Sequence, residues 1–368
     1  MPASPFDSAQ GRLSPGYQFI LSEVEGLQVL SRQKHGFRAF RYHPLRNLVF
    51  RPLYHHDLRS DPDLCFLRHM NAITLADPGT EIPESELILN ADGSVYHLAM
   101  RPDQLGDVVL LVGDPGRVEQ VSRHFSSIEH RTQHREFIAH TGVLDGTHIT
   151  VLSTGIGPDN IDIVMNELDA LANIDLQRRI AKKDHRELRI VRLGTCGALQ
   201  EDLPCGSLIV SSFAVGLDGL LHYYAFENTD QETRLLNTLI EQLEWPGNLP
   251  LPYVAQGDRK LVELLSNGNT EGITFTAGGF YGPQGRRLRL VPSIDEFNQQ
   301  IASFEYSGLR AANFEMETSA IYGLGGMLGH RACTVCTVVA NRARREFSRD
   351  AKADVDRMIE QVLDRITV

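Results

Sequence analysis

No stretch of this 368-residue chain is apolar for long enough to cross a membrane, so no membrane partner is expected. Excess positive charge is also missing. The formal net charge is −11, which argues against a general nucleic-acid binder, because such a protein needs a basic face. Cysteine is scarce and odd in number: five scattered residues point to a reducing compartment, and the expected location is cytoplasmic. Cys333 and Cys336 form a C-x-x-C, but no second pair completes a zinc set, and both lie in an apolar run that reads as a buried strand. No metal site is expected. The chain has no G-x-x-x-x-G-K-[ST] and no G-x-G-x-x-G after a strand, so P-loop and dinucleotide binding are poor readings. The amino-terminal residues lack a basic start followed by an apolar core, so no signal peptide is expected.

What is there has a clear internal division. Residues 1–69 hold nine Arg or Lys against six Asp or Glu and show no periodicity of either 2 or 3.6. They read as a disordered tail, or as sequence ahead of the true start, with Met70 as an initiator. From residue 94 to 368, strand-like runs alternate with helical patterns and no long linker intervenes. This predicts a single α/β domain with a central mixed sheet flanked by helices. Asp107 to Val112 reads as the first strand, with Asp114 capping a helix that opens on Pro115. Asp145-Gly146 suits a hairpin turn between a strand opening at Arg135-Glu136-Phe137 and one from His148 to Ser153. Ile161, Val164, Met165, Leu168 and Leu171 mark an amphipathic helix, and Val355, Met358, Ile359, Val362 and Ile366 mark another at the end of the chain.

Arg192-Leu193-Gly194-Thr195-Cys196-Gly197 stands out because an arginine interrupts a buried strand just before two glycines. A guanidinium, a hydroxyl and free backbone N–H groups at a strand's carboxyl end suit an anion. Arg117 occupies the first turn of a helix, where its charge opposes the dipole and a bound anion would explain it. Phe280, Gln284 and Arg286 share one glycine-rich loop and can stack on and hydrogen-bond a flat heterocycle. Glu315-Met316-Glu317 places two carboxylates in what reads as the opening of a helix.

Taken together, these stretches resemble the nucleoside phosphorylase family of the uridine phosphorylase type, from about Tyr96 to the last helix. The resemblance implies phosphorolysis of a nucleoside, with inorganic phosphate as co-substrate and no cofactor. Gly113, Arg117, Arg192 and Thr195 would bind phosphate together with Arg135 of a neighbouring subunit. His97, also from a neighbour, would contact the ribose with Met316 and Glu317. Phe280, Gln284, Arg286 and Glu315 would form the base site, and Arg192, Glu317 and Arg286 would carry the catalysis. Such sharing implies a homo-oligomer, a homodimer or a trimer of dimers. The strand before the last helix ends Val339-Ala340-Asn341-Arg342, without the aspartate that purine-specific relatives carry there, which favours a pyrimidine nucleoside, uridine first. The family also implies a monovalent cation between subunits, held by Glu136, Ile156 and a serine. Asn160 stands in the serine's place and counts against that cation. Cys196 likewise replaces a threonine beside Thr195. A purine nucleoside phosphorylase, a hydrolytic nucleosidase of the same fold and a non-catalytic nucleoside-binding protein are the alternatives.

Overall fold

The computed structural model describes residues 79–294 and 296–367, and the reading of residues 1–69 and Met70 lies outside them. Fourteen strands are present among the described residues. In chain order they are β1 (Val108–Val112), β2 (Ser127–His134), β3 (Phe137–Leu144), β4 (Thr147–Ser153), β5 (Ile174–Asp175), β6 (Ile180–Ala181) and β7 (Arg189–Ala198). They continue with β8 (Leu208–Gly216), β9 (Tyr253–Gln256), β10 (Thr270–Thr276), β11 (Glu305–Tyr306), β12 (Leu309–Glu315), β13 (Arg331–Asn341) and β14 (Glu346–Phe347). Seven helices accompany them: α1 (Pro115–Ser122), α2 (Pro158–Asn173), α3 (Asp230–Gln242), α4 (Arg259–Ser266), α5 (Phe297–Ala302), α6 (Thr318–Met327) and α7 (Ala351–Ile366).

Twelve strands make one mixed sheet, with the path β11-β12-β10-β8-β13-β7-β1-β4-β3-β2. Its centre is parallel: β1 pairs with β4 and β7, and β7 pairs with β13, all in the same direction. The β2–β3–β4 meander is antiparallel, as are the β8–β13 and β8–β9 pairs. Because β12 also pairs with β7, strands β7, β13, β8, β10 and β12 close into a ring. The sequence pattern predicts the mixed sheet but not this closure, which depends on pairings between segments far apart in the chain.

Burial on both faces explains why the central strands read as continuous apolar runs. In β1, Val109 and Leu111 enter a core shared with α2 and α6, while Val108, Leu110 and Val112 enter one shared with α1, α4 and α7. Cys333 and Cys336 are fully buried in β13, as their apolar surroundings predict. Asp145 and Gly146 both have positive φ, 48° and 78°, in the expected hairpin turn. Asp114 caps α1 through Gly116 N–H, and Thr229 and Glu232 form a reciprocal capping box on α3.

Three local expectations are corrected. First, the strand that carries Arg192 does not end there: β7 runs on through Gly194-Thr195-Cys196-Gly197 to Ala198. Second, Asn313-Phe314-Glu315 ends strand β12 instead of opening a helix, and α6 starts at Thr318. Third, Arg135 lies in the β2–β3 turn with φ of 55°, and the strand opens at Phe137. The partner strand, β2, is half-exposed and polar along its length, so no hydrophobic signal announces it.

The first correction gives Gly194 a different role. A Cβ there would lie 1.7 Å from Arg192 Nη1 and 2.6 Å from Cys336 Sγ, so the missing side chain is the channel through which Arg192 passes. Gly194→Ala is therefore expected to displace the Arg192 guanidinium and to cost about 1–3 kcal/mol by overpacking. Urea unfolding monitored by circular dichroism measures this, and an unchanged midpoint would show that the arginine has another route.

Candidate active site

The carboxyl ends of the parallel strands β1, β4 and β7 open onto one cavity of roughly 1090 Å³. Helices α1, α2 and α6 all begin at its wall, contributing Pro115, Asn160 and the α6 N-cap Glu317. Helix N-termini carry unpaired N–H groups and partial positive charge, so this end of the cavity is suited to an anion. Gly113, Arg117, Arg192 and Thr195, the residues expected to bind phosphate, all line it. Arg117 donates from Nη1 to the Leu193 carbonyl at 3.0 Å. Burial first, and then the nearby Arg192 charge, hold its guanidinium below the ordinary arginine range.

Arg192 is buried on the face of β7 that also carries Ile190, and two carboxylates meet it. Its Nη2 forms a short hydrogen-bonded ion pair with Glu317 and lies 3.4 Å from Glu315. Its Nη1 points at Cys336 Sγ, 3.3 Å away. Burial opposes the charge on Arg192, but the two carboxylates outweigh it and hold the group charged. Burial and the neighbouring Glu315 raise Glu317 above the usual carboxylate range, against the pull of Arg192. Glu317 Oε1 also accepts the Gly157 N–H at 2.8 Å, which ties the start of α2 to the start of α6.

Glu315 has a different environment from the one the base-site expectation requires. Its carboxylate accepts the N–H groups of Glu317 and Thr318 at 2.9–3.1 Å and the Thr276 hydroxyl at 2.6 Å. It caps α6 from the preceding strand end, and its oxygens are occupied. Met316 lines the cavity beside it.

At the opposite end of the cavity, Phe280, Gln284 and Arg286 come together as expected. The Arg286 guanidinium carbon stacks 3.7 Å from the Phe280 ring centroid, and Nη1 donates to the Phe280 carbonyl at 2.6 Å and to the Gln284 side-chain oxygen. Sequence reasoning missed Arg342, whose Nη1 donates to the Gln284 carbonyl at 3.1 Å, and Arg345 and Phe347 on the same wall. Their only sequence signal is a basic cluster after the last core strand, which looks like an ordinary solvated loop. Burial and the Arg342 charge push Arg286 down to about 10, still charged at neutral pH.

His97 and Arg135 do not line this cavity. They lie together elsewhere: Arg135 sits 5.7 Å over the Tyr96 ring, and His97 Nδ1 is 2.6 Å from Glu167. Glu167 also accepts the backbone N–H groups of His97 and Leu98. The cation implied by the family resemblance has a poor donor set here. Asn160 turns its Nδ2, a hydrogen-bond donor, toward Glu136 Oε1 at 3.4 Å, where a cation requires oxygens. As oriented here, Asn160 offers the ion no oxygen. Asp169, His185 and His330 gather at a separate point, but His330 Nδ1 accepts the Leu188 N–H, which leaves its proton on Nε2 facing Asp169. That tautomer describes a buried polar contact and not a metal ligand.

A cavity with an anion pole at three helix starts, a carboxylate at its middle and an aromatic–amide–guanidinium group at its far end defines a protein that handles a nucleoside-like molecule together with an anion. The chain matches the family described as the phosphorylase superfamily over residues 107–367, and it belongs to that superfamily. It is 31% identical to the uridine phosphorylase of Thermococcus kodakarensis, over 73% of this chain and 83% of the relative. A crystal structure of a Trypanosoma brucei nucleoside phosphorylase described as showing uridine phosphorylase activity is similar with a TM-score of 0.71 and 31% identity. That match covers 77% of this chain and all of the other. A DeoD-type purine nucleoside phosphorylase of Colwellia psychrerythraea is 26% identical over 66% of this chain and 85% of the relative.

Proposed function

We propose that the protein catalyses phosphorolysis of a pyrimidine nucleoside, uridine first, giving free base and ribose 1-phosphate. The observation that carries this reading is the polarity of this cavity, with an anion end at Arg117, Arg192 and Thr195 and a base end at Phe280, Gln284 and Arg286. A phosphate oxygen bonds to the anomeric carbon as the bond to the base nitrogen breaks. The electron pair leaves on the base, which then takes a proton from water. Phosphate is the nucleophile, so no protein nucleophile is needed, and the absence of a nucleophile–base pair in this reading is consistent with the chemistry. The cavity's work is to align phosphate and sugar and to stabilise the separating charges.

In this reading Arg117 and Arg192 hold phosphate with Thr195 and the backbone N–H groups near Gly113. Charge-assisted hydrogen bonds of this kind contribute roughly 1.5–3 kcal/mol each. Glu317 fixes the ribose hydroxyls, and its negative charge favours the cationic sugar of the transition state. Met316 packs against the sugar. Gln284 pairs with the carbonyl and N–H edge of the base, and Arg286 receives the charge that develops on it. His97 and Arg135 serve a neighbouring subunit's cavity, so the working form is a homo-oligomer with shared sites, and its place is the cytoplasm.

Base release measured across uridine, thymidine, cytidine, inosine and adenosine, with and without phosphate, tests the reaction. Uridine and thymidine cleaved only when phosphate is present is the expected result. Release without phosphate would make the protein a hydrolase, a preference for inosine would make it a purine enzyme, and binding without turnover would make it a nucleoside-binding protein. Arg286→Ala is expected to lower kcat by about 10²–10³-fold with a smaller rise in KM, because its strongest contact forms as charge develops. Site sharing has its own test. Hetero-oligomers of Arg135→Ala and Glu317→Gln subunits should regain activity that neither variant has alone, since one cavity in each mixed pair is then intact. No recovery on mixing would contradict the sharing.

A further inference from the structure

Glu317 is the N-cap of α6, and the first turn of that helix is held from two sides. On one side Glu315 takes the N–H groups of Glu317 and Thr318, and the Thr276 hydroxyl accepts the Ser319 N–H at 2.9 Å. On the other side a buried polar group grips the Ser319 side chain. The Ser319 hydroxyl lies 2.9 Å from the Tyr253 hydroxyl and 3.3 Å from Asp218 Oδ2. The Tyr253 hydroxyl donates to Asp218 at 2.9 Å, and Asp218 also accepts the Leu220 N–H at 2.8 Å. Asp218, Tyr253 and Ser319 stand behind the active cavity and not on its wall.

Packing alone does not call for these polar groups. Tyr253 is fully buried in the core shared with α2 and α6, its ring edge-on to His222 and Phe226. A Cβ on Gly216, its partner across the β8–β9 pair, would lie 2.1 Å from Tyr253 Cζ, so the sheet leaves out a side chain to admit the phenol. Phenylalanine would fill most of the same space with no hydroxyl to satisfy. Burial raises the Asp218 carboxyl above the usual carboxylate range. Burial and the Asp218 charge push the Tyr253 phenol well above its own range, so Tyr253 keeps its proton and acts as the donor. Burying such groups costs free energy even when they are hydrogen-bonded, and apolar replacements are often neutral or stabilising. The chain accepts that cost at the helix whose N-cap carboxylate faces the cavity.

We propose, resting on the reading of Glu317 as the holder of the ribose hydroxyls, that Asp218, Tyr253 and Ser319 are positioning residues for that carboxylate and set the preference for ribose over 2′-deoxyribose. Glu317 is tethered at one oxygen by the Gly157 N–H and at the other by Arg192, so its reach toward a sugar depends on where the start of α6 places its backbone. Hydrogen bonds weaken steeply with angle and distance. A small rotation of the first turn therefore weakens the contact with a 2′-hydroxyl more than it weakens contacts made from other elements.

Tyr253→Phe removes the hydroxyl and keeps the ring, and Ser319→Ala removes the other half of the grip. Amide hydrogen exchange at residue level, on the full-length protein without ligand, reads the position of Glu317 through the Gly157 N–H. That amide is expected to exchange at least about threefold faster in both variants, with the amides of β1 and β4 unchanged. The ratio of kcat/KM for uridine to that for 2′-deoxyuridine, at saturating phosphate, should fall about three- to tenfold, mainly through kcat with uridine. An unchanged ratio in both variants would overturn the proposal. Faster exchange spread evenly over the sheet would also overturn it, because the three residues would then serve stability alone. Wild-type protein that releases base from neither nucleoside would remove the ribose reading itself, and faster exchange confined to Gly157 would then still place the clamp on Glu317.

Discussion

The arrangement of the cavity depends on one buried guanidinium. Arg192 interrupts an otherwise apolar strand, and removing its charge from water is affordable only because Glu317 and Glu315 stand against it. Each carboxylate is itself tied to a different part of the frame. Glu317 reaches Gly157 at the start of α2, and Glu315 caps α6 and binds Thr276 at the end of β10. Two helices and the closed ring of strands therefore meet at a single ion cluster. The same three side chains line the cavity, so one set of contacts serves both the fold's closure and the wall of the site.

Close packing lets the cluster form. Gly194 leaves room for the Arg192 side chain, and Gly197, three residues further along, leaves room for Arg342 and Arg286. Both glycines sit within β7 in extended conformation, so what matters is the absence of a Cβ and not freedom of φ. The strand supplies a rigid floor, and the ligand-facing groups come from helix starts and loops above it.

Features whose cause is local were legible in the sequence. Asp114-Pro115 announces the start of α1, Asp145-Gly146 announces a hairpin, and an arginine in an apolar run announces a charged site on a strand. The resemblance to nucleoside phosphorylases then ordered these fragments into one cavity. What could not be read is tertiary. Glu315 looks like any first-turn glutamate, and only the structure shows its oxygens engaged by backbone N–H groups. Arg342 and Arg345 look like loop charges until the end of β13 brings Arg342 beside Gln284 and both residues to the cavity wall. Strand β2 has no apolar alternation to betray it, because its partner β3 is the one that faces the core.

A double-mutant cycle on Arg192 and Glu317, read as unfolding free energies in urea, tests the central claim most directly. Arg192→Met strands two buried carboxylates and Glu317→Gln unbalances the guanidinium, so each alone should cost about 3–5 kcal/mol. The double variant should cost clearly less than the two together, with a coupling on the order of 2 kcal/mol. Single costs that simply add, to within about 0.5 kcal/mol, would mean that the two groups do not depend on each other and that the site is held by something else.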